Sequence, residues 1–272
     1  MYDAHTHLNN EDIFSQRQHY MDLFVQAWGK WLVNSWASDF YNQKGIEIAK
    51  ESLQKYPNLR VKATLGRHPL ECVENIITQE NYIQKVQELK IQYVNNKEHI
   101  VAIGEIWIDV HFPGGQETLG LQKELFALQC DFAQEVNVPI VIHSRDEFNQ
   151  TIDVLQHYKN QIIYFHCWGY GPEEYRKLND MFPNLFIGFC GNVTYKNAQA
   201  LRDTLSIVGK NQLLMETDAP YLTPQVVRGQ TNHPAFVEYI YEFASAYLSI
   251  PLPQFSQQIE KNFQKLYNVN WN

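Results

Sequence analysis

Short apolar segments alternate with longer amphipathic segments along most of the 272-residue chain. The apolar segments have the length of single strands, whereas the amphipathic segments carry apolar residues at helical spacing. Strands that alternate with helices are typical of a parallel sheet that is covered by helices. The pattern therefore predicts an α/β protein.

Eight apolar segments have the character of strands that are buried on both faces. They lie at residues 1–5, 31–34, 61–65, 100–105, 139–143, 162–166, 185–189 and 212–216. Eight parallel strands with helices between them are the count of a TIM (β/α)8 barrel, and one such barrel commonly fills a chain of this length. We therefore predict a TIM barrel in which residues 1–272 form a single domain.

The clearest helix is predicted at residues 119–136, where Leu121, Leu125, Leu128 and Phe132 recur at helical spacing. Further helices are predicted at residues 42–56, 81–93, 146–158, 172–182, 196–208, 234–248 and 253–267. The sequence has no internal repeat and no stretch rich in Pro, Gly or Ser that would form a linker. This favours one continuous domain over two.

Composition and charge narrow the classes of function. The chain is 44% hydrophobic and 19% charged, as in globular proteins, and its net charge is −8. An acidic protein is not expected to coat duplex DNA, although a local basic patch or bound cations could still attract phosphate. Because no signal peptide is evident and the apolar runs are too short to span a bilayer, we expect a cytoplasmic protein. We expect no membrane partner and no obligate protein partner.

The four cysteines make no C-x-x-C pair and have no spacing typical of a disulfide framework. They are Cys72, Cys130, Cys167 and Cys190. We predict that they are reduced and mostly buried.

Polar side chains recur at the ends of the predicted strands. His5 and His7 are two residues apart at the end of the first strand, so that both point to the same face, which is the interior of a barrel. Glu105, His143 and His166 each end one of three successive strands, and Asp218 follows the eighth strand closely. A TIM barrel brings these strand ends together at one mouth.

Six ligand-type side chains in one desolvated mouth would require a cation to neutralise them. A catalytic zinc takes about three protein ligands and a water, so that six ligands fit two ions that share a bridging carboxylate. Glu105 is the natural bridge, while His5, His7 and Asp218 would hold one ion. His143 and His166 would hold the other ion. Imidazole with carboxylate suits Zn²⁺ or Mn²⁺ better than Mg²⁺, although the sequence leaves all three open.

Each of these residues also has a structural explanation. One histidine at a strand end is more often a hydrogen-bonded core residue than a ligand. Glu105 could pair with Arg67 or Arg145, and Asp218 could cap a helix or stabilise the turn before Pro220. The metal site is favoured because the same coincidence would have to recur at five strand ends.

The sequence shows no Ser-His-Asp or Cys-His arrangement and no glycine-rich phosphate loop. Water activated by the cations is therefore the expected nucleophile. Asp218 would accept its proton and pass it to the leaving group. Asp218 and Glu105 are thus candidate catalytic residues as well as candidate ligands.

Seven segments of the sequence resemble the TatD family of metal-dependent deoxyribonucleases, which belongs to the amidohydrolase superfamily. They are Asp-Ala-His-Thr-His-Leu at 3–8, Gly-Arg-His-Pro at 66–69, Gly-Glu-Ile-Trp-Ile-Asp at 104–109, Val-Ile-His-Ser-Arg-Asp at 141–146, His-Cys-Trp at 166–168, Gly-Asn-Val-Thr-Tyr-Lys-Asn at 191–197 and Glu-Thr-Asp-Ala-Pro-Tyr-Leu at 216–222. They recur in the family's order over nearly the whole chain.

The resemblance implies a TIM barrel, two divalent metal ions at the six residues above, and hydrolysis of phosphodiester bonds. Members of the family trim DNA from the 3′ end, and some act on RNA or aminoacyl-tRNA. The substrate expected is thus nucleic acid, as single-stranded or frayed DNA ends. Many other amidohydrolases carry a carboxylated lysine where this family has a bridging glutamate, so that Glu105 favours the TatD branch.

Several further residues are candidates for binding such a substrate. Those that could contact phosphate are Arg67, His68, Arg145, Lys196 and Arg228. Those that could stack on an unpaired base are Trp107, Phe112, Trp168 and Tyr221. Packing within loops is an equal alternative for the aromatic residues. His68 is also a candidate catalytic residue because its Gly-x-His-Pro segment matches the family.

The chain departs from the family pattern at two places. Trp107 and Ile108 stand where the family has Gly-Leu after the bridging glutamate, which narrows the mouth or adds a stacking surface. Gln230 and His233 replace a lysine and a glutamate, which leaves the substrate preference open. The alternatives are a hydrolase that cleaves a small amide, lactone or phosphoester, and a metal-binding adaptor without catalysis.

Overall fold

Eight parallel strands form one sheet that curves into a nearly closed barrel in the computed structural model, which describes residues 1–269. The strands are β1 (Tyr2–Thr6), β2 (Trp31–Asn34), β3 (Arg60–Leu65), β4 (Ile100–Ile106), β5 (Ile140–Ile142), β6 (Ile163–Phe165), β7 (Leu185–Phe189) and β8 (Leu213–Met215). They pair in chain order from β1 to β8. The predicted TIM barrel is confirmed. Residues 270–272, at the end of the predicted domain, lie outside the described residues.

Helices connect the strands and cover the barrel. They are α1 (Glu11–Phe14), α2 (Arg17–Gln26), α3 (Asp39–Lys55), α4 (Leu70–Val73), α5 (Tyr82–Asn96), α6 (Leu119–Val136), α7 (Phe148–Leu155), α8 (Pro172–Met181), α9 (Gln199–Ile207), α10 (Val237–Tyr247) and α11 (Leu252–Tyr267). The helix predicted at 119–136 has the same bounds in the structure. The hydrophobic pattern did not predict α2, because that helix buries only a narrow face, formed by Tyr20, Met21 and Phe24.

The barrel closes between β1 and β8 through bonds beyond the end of β8. The backbone N–H of Asp218 donates to the carbonyl of His5 at 3.0 Å, and the N–H of His7 donates to the carbonyl of Ala219 at 2.8 Å. The buried Asp3 carboxylate accepts bonds from the N–H and hydroxyl of Thr217 at 2.9 and 2.6 Å. Three of the predicted ligands therefore lie directly at this seam.

The strands are buried on both faces, as the continuous apolar segments predicted. Every residue of β1, β2 and β4 is buried. Side chains on one face fill the barrel, while those on the other face pack against the surrounding helices. The strand ends at the mouth are therefore held by a rigid, packed framework. In the part of the chain that the structure describes, no helix combines the length and apolar character that crossing a bilayer requires.

Candidate metal centre

Six side chains meet at the mouth of the barrel, at the carboxyl ends of five strands. We call them the ligand cluster: His5, His7, Glu105, His143, His166 and Asp218. His143 and His166 follow directly after β5 and β6, and Asp218 lies three residues after β8. All six are buried except His143, which is half-buried. The structure thus brings together every residue that the strand ends predicted.

Glu105 lies between histidines from two sides of the barrel. Its Oε1 lies 3.2 Å from His5 Nε2, and its Oε2 lies 3.2 Å from His166 Nε2. His143 joins the cluster through its Nδ1, which lies 3.0 Å from the same nitrogen of His166. The two oxygens of Glu105 therefore face different ligands, as a bridging carboxylate requires.

His7 and Asp218 form the other side of the cluster. His7 Nδ1–H donates to the carbonyl of Ser35 at 2.7 Å, because a carbonyl oxygen can only accept. This bond fixes the ring so that its Nε2 faces Asp218 Oδ1 at 2.9 Å. A backbone carbonyl that orients a ligand histidine is a common feature of metal sites in proteins.

The surroundings of the His5 ring show whether the geometry of this cluster fits a cation. Both ring nitrogens of His5 are buried without a hydrogen-bond partner. Its Nε2 lies 3.2 Å from a Glu105 oxygen and 3.8 Å from an Asp218 oxygen. Such spacings suit atoms that share an ion at bond lengths of about 2.0–2.2 Å. The residues present therefore fit bound divalent cations.

Two triads within the cluster are compact enough to hold an ion each. The ligand atoms of His5, Glu105 and His166 lie within 4.8 Å of one another, and so do those of His5, His7 and Asp218. The second triad contains the three residues that the sequence assigned to one ion. His5 belongs to both triads and thus lies at the centre of the cluster.

Protonated histidines of the cluster balance the charge of its carboxylates. Burial lowers the pKa of His5 to about 3 and that of His143 to about 4, so that both are neutral at physiological pH. Burial opposes ionisation of Glu105, yet the neighbouring His5 and His166 hold its pKa well below the usual range. The attraction of Glu105 likewise outweighs burial at His166 and raises that pKa to about 9. The proton on His166 thus places positive charge beside the carboxylate of Glu105. A bound cation would supply positive charge at the same place.

Two cavities open above the cluster, one on each side of Asp218 and Tyr221. The smaller cavity has a volume of about 270 Å³, and its walls include His68, Trp107 and Phe112. The larger cavity, of about 540 Å³, is lined by Ser144, Tyr170, Cys167 and Asn192, among others. Arg145 and Tyr221 line both cavities.

His68 stands in the wall of the smaller cavity in a defined orientation. Its Nδ1 accepts a bond from the N–H of Leu70 at 2.9 Å, which leaves a hydrogen on Nε2. Its ring packs edge-on against Trp107, with 4.2 Å between the ring centroids. Burial lowers the pKa of His68 to about 4, so that the ring is neutral at physiological pH.

The structure corrects the prediction that Arg67 contacts substrate. Arg67 is 1% exposed, and its guanidinium pairs with Asp39 at 2.7 Å and with Glu71 at 3.6 Å. Its Nη2 also lies 3.4 Å from Glu88 Oε2. These carboxylates hold the guanidinium among the outer helices, so that a phosphate at the mouth cannot reach it.

Three other predicted contacts also lie outside the cavity walls. Trp168 is 1% exposed and packs edge-on against Phe165 and Tyr170, so that it offers no face to a base. Lys196 and Arg228 are exposed, but neither lines the smaller or the larger cavity. Arg228 instead lies 4.8 Å from the ring centre of Tyr195.

His233 also lies away from the cavities, although it replaces an acidic residue of the family pattern. It is buried, its ring stacks on Tyr20 with 5.1 Å between centroids, and it contacts Phe236 at 3.8 Å. Its role is therefore packing between α2 and the chain before α10.

Trp36 lines the smaller cavity and was missed by the sequence reasoning. Its ring packs edge-on against His7 at 4.6 Å and lies 6.3 Å from the ring of Tyr221. Trp36 follows the end of β2 by two residues, so that the strand-end argument used for the ligands would have found it if it had been applied to aromatic residues.

Comparisons with known proteins agree with this geometry. The family model described as TatD related DNase matches residues 2–268. An uncharacterized metal-dependent hydrolase of Mycoplasma genitalium is 32% identical and covers 98% of each chain. The metal-dependent hydrolase YabD of Bacillus subtilis is 28% identical over 99% of this chain and 100% of its own.

Solved structures show the same fold. A TatD homologue from Escherichia coli K12 superposes with a TM-score of 0.83 at 21% identity, over 99% of this chain and 98% of that one. A mutant organophosphorus hydrolase superposes with a TM-score of 0.59 at 13% identity, over 98% and 92% of the two chains. The fold and the cluster thus define a metal-dependent hydrolase of the amidohydrolase fold. Within that class, the chain belongs to the TatD family.

Proposed function

We propose that this protein is a phosphodiesterase that depends on divalent cations and removes nucleotides from the 3′ ends of single-stranded or frayed DNA. One observation carries the proposal: the ligand cluster forms the floor of a cavity that has aromatic walls and an arginine at its rim. The resemblance to TatD deoxyribonucleases supplies the direction of cleavage. RNA ends offer the same phosphodiester chemistry.

The ligand cluster would hold two divalent cations, with Glu105 between them, and Zn²⁺, Mn²⁺ and Mg²⁺ are the candidates. Such ions supply Lewis acidity and a nucleophilic water at neutral pH. Burial opposes ionisation of Asp218, but its hydrogen bond to His7 keeps its pKa low. Asp218 is therefore a carboxylate at neutral pH, and it can take up the proton of the attacking water.

Arg145 and His68 both line the smaller cavity and would bind the scissile phosphate there. Arg145 is exposed at the rim and can offer two parallel N–H groups to phosphate oxygens. His68 can donate from Nε2, because its Nδ1 is already the acceptor of a backbone hydrogen bond. This donor could bind a phosphate oxygen or the leaving oxygen.

The aromatic walls favour a single unpaired nucleotide. Trp36, Trp107, Phe112 and Tyr221 surround the smaller cavity, and base stacking on such rings tolerates any sequence. The volume of about 270 Å³ lies near the lower limit of ligand pockets, so that a duplex end would have to fray before it could enter. We therefore expect faster cleavage of single strands than of blunt duplexes.

The test uses one oligonucleotide that is labelled at the 3′ end in one sample and at the 5′ end in another, with Mg²⁺, Mn²⁺ or Zn²⁺ added. The 3′ label should leave as a mononucleotide, while the 5′ label should appear in a ladder of shortened strands. Asp218→Asn should lose most of this activity and remain folded. Asp180→Asn, at an exposed position of α8, is the matched control and should keep it. Equal activity of the two variants, or release of long fragments first, would refute the proposal.

A second candidate function is the hydrolysis of a small amide, lactone or phosphoester. It is favoured by the small number of cationic side chains at the mouth, because Arg67 is internal and Lys196 and Arg228 line neither cavity. A panel of lactones and N-acyl amino acids, compared with oligonucleotides at equal concentration, separates the two functions. Turnover of the small substrates alone would favour the second.

A further inference from the structure

We propose that Cys167, Cys190 and Asp218 form a second cation site, which shares Asp218 with the ligand cluster and takes a thiophilic cation such as Zn²⁺ or Cd²⁺. The three residues follow β6, β7 and β8, which are successive strands of the barrel. Their ligand atoms lie within 4.8 Å of one another, and the two sulfur atoms are 2.9 Å apart. We call the two cysteines the thiol pair.

The thiol pair can be reached from the larger cavity. Cys167 is half-buried and lines this cavity together with Asn192 and Asp218, while Cys190 is buried behind it. The Oδ1 atom of Asn192 lies 3.2 Å from the sulfur of Cys190 and offers a fourth ligand atom. An ion that enters the larger cavity would thus meet two sulfur atoms and two oxygen-bearing side chains.

The chemistry of this site differs from that of the ligand cluster. Thiolates select soft ions such as Zn²⁺ over Mg²⁺ or Mn²⁺. Two thiolates on one tetrahedral zinc lie about 3.7 Å apart, given a Zn–S bond of about 2.3 Å. The sulfur atoms would therefore have to separate by about 1 Å or less. Each thiol gives up one proton when the ion binds, so that two protons are released for each ion.

Asp218 connects this site to the ligand cluster, since its carboxylate also belongs to the triad of His5 and His7. An ion at the thiol pair would compete for that carboxylate. If the proposed function holds, Zn²⁺ in excess should inhibit hydrolysis in the wild type and inhibit it less in Cys190→Ser.

Cadmium binding tests the site without any assay of activity. Cd²⁺ is titrated into the full chain, the ultraviolet absorption of thiolate-to-cadmium charge transfer is recorded, and bound metal is counted after dialysis. The wild type should show the band and hold one ion more than Cys190→Ser or Cys167→Ser. Cys72→Ser removes a buried thiol elsewhere and should behave as the wild type. Circular dichroism checks that each variant folds, and Cys167→Ser changes the less buried of the two positions.

The proposal is overturned if the wild type shows no thiolate band, or if both serine variants keep the band and the ion. It is also overturned if the thiol pair forms a disulfide under these conditions and takes up no cadmium. Because the band does not depend on turnover, its absence would leave the proposed hydrolase intact, and loss of the hydrolase would leave the band.

Discussion

Buried charges gather in two regions of this molecule, and the two regions are balanced differently. The Arg67 group (Arg67, Asp39, Glu71 and Glu88) lies among the outer helices, where carboxylates of the chain itself surround the guanidinium. The ligand cluster lies at the mouth, where His5 keeps two buried nitrogen atoms without any hydrogen-bond partner. The Arg67 group lines neither cavity and has its counter-charges within the chain, whereas the ligand cluster opens into a cavity.

The difference separates a structural role from a functional one. A buried charge is costly unless it is paired, so that a group which supplies its own counter-charges contributes to folding and specificity. A cluster of ionisable groups that opens into a cavity is instead prepared for a ligand. The predictions below test this distinction, from the largest expected effect to the smallest.

Glu105→Gln should have the largest effect on metal affinity and hydrolysis, because it removes the negative charge that lies between His5 and His166. Partners that merely hydrogen-bond to ligands are worth about 10–100-fold in metal affinity, and a bridging ligand should exceed that. We expect Mn²⁺ affinity and hydrolysis to fall by more than about 100-fold, as measured by equilibrium dialysis and oligonucleotide cleavage. Glu71→Gln, which changes a carboxylate of the Arg67 group, is the control and should keep Mn²⁺ affinity. Equal loss in both variants would contradict the distinction.

Arg67→Met should have the opposite pattern: it should lower the free energy of unfolding and leave the activity of the folded protein unchanged. Removal of one partner from a buried ion pair costs about 3–5 kcal/mol, and we expect about 3 kcal/mol because Asp39 and Glu88 are partly exposed. Urea unfolding measures the loss, while kcat/KM per folded molecule should stay unchanged. Arg145→Met removes the same charge at an exposed position and should leave the free energy of unfolding nearly intact. A fall in kcat/KM of folded Arg67→Met would return Arg67 to the substrate site.

Removal of Mn²⁺ should destabilise the protein through the ligand cluster. Ions present at 100 times their Kd contribute about 2.7 kcal/mol, which corresponds to roughly 5–10 °C in Tm for a protein of this size. Differential scanning calorimetry with Mn²⁺ and with a chelator measures the shift. Arg67→Met should show the same shift from its lower Tm, since the two regions are separate. Identical Tm values with and without cation would argue against a metal site.

His233 is a buried histidine, and its contribution to the free energy of unfolding should depend on pH. Burial, with a smaller effect of His19, lowers its pKa to about 4, against 6.5 as the ordinary value. The unfolded chain therefore binds a proton between these values that the folded chain does not, and stability should fall as pH drops from about 6.5 to 4. We expect a loss of about 2 kcal/mol, since one pKa unit is worth about 1.4 kcal/mol and solvent screens part of the effect.

The variant His233→Gln isolates this effect, because every other titrating group is shared with the wild type. Urea unfolding near neutral pH and near pH 4.5 should show a smaller acid loss in the variant than in the wild type. The same slope in both proteins would assign the acid sensitivity to other groups.

Arg145→Gln should have the smallest effect, as expected of an exposed residue that only binds substrate. The loss of a two-point phosphate contact should raise KM about tenfold, with little change in kcat or in Tm. Arg176→Gln, on the exposed face of α8, is the matched control. If KM stays unchanged in Arg145→Gln, the second candidate function gains support.

The strands and the ligand cluster could be predicted because both depend on local patterns. The predicted bounds of β2 and β7 match those of the structure, and His143 and His166 lie where their strands end. The carboxyl ends of all strands in a parallel barrel lie at the same face, which is the mouth. The position of a polar residue at that end therefore fixes its place in three dimensions.

The direction in which a loop side chain points could not be predicted in this way. Arg67 lies two residues after the end of β3 and follows Gly66, where an added Cβ would lie 2.4 Å from the Glu105 carbonyl oxygen. The chain there lies against β4, and the N–H of Arg67 donates to Gln129 of α6 at 2.7 Å. The side chain consequently enters the helix layer. The contacts responsible come from distant parts of the chain and leave no local trace in the sequence.

The sequence by itself determined the barrel, the spacing of its strands and the six side chains that meet at the mouth, because alternation and strand ends are properties of neighbouring residues. The tertiary structure alone decided that Arg67 and Trp168 are internal, that Trp36 faces the cavity, and that two cysteines on adjacent strands meet beside Asp218. The physical reason is that the direction of a side chain beyond a strand depends on which distant charges and rings surround it after folding.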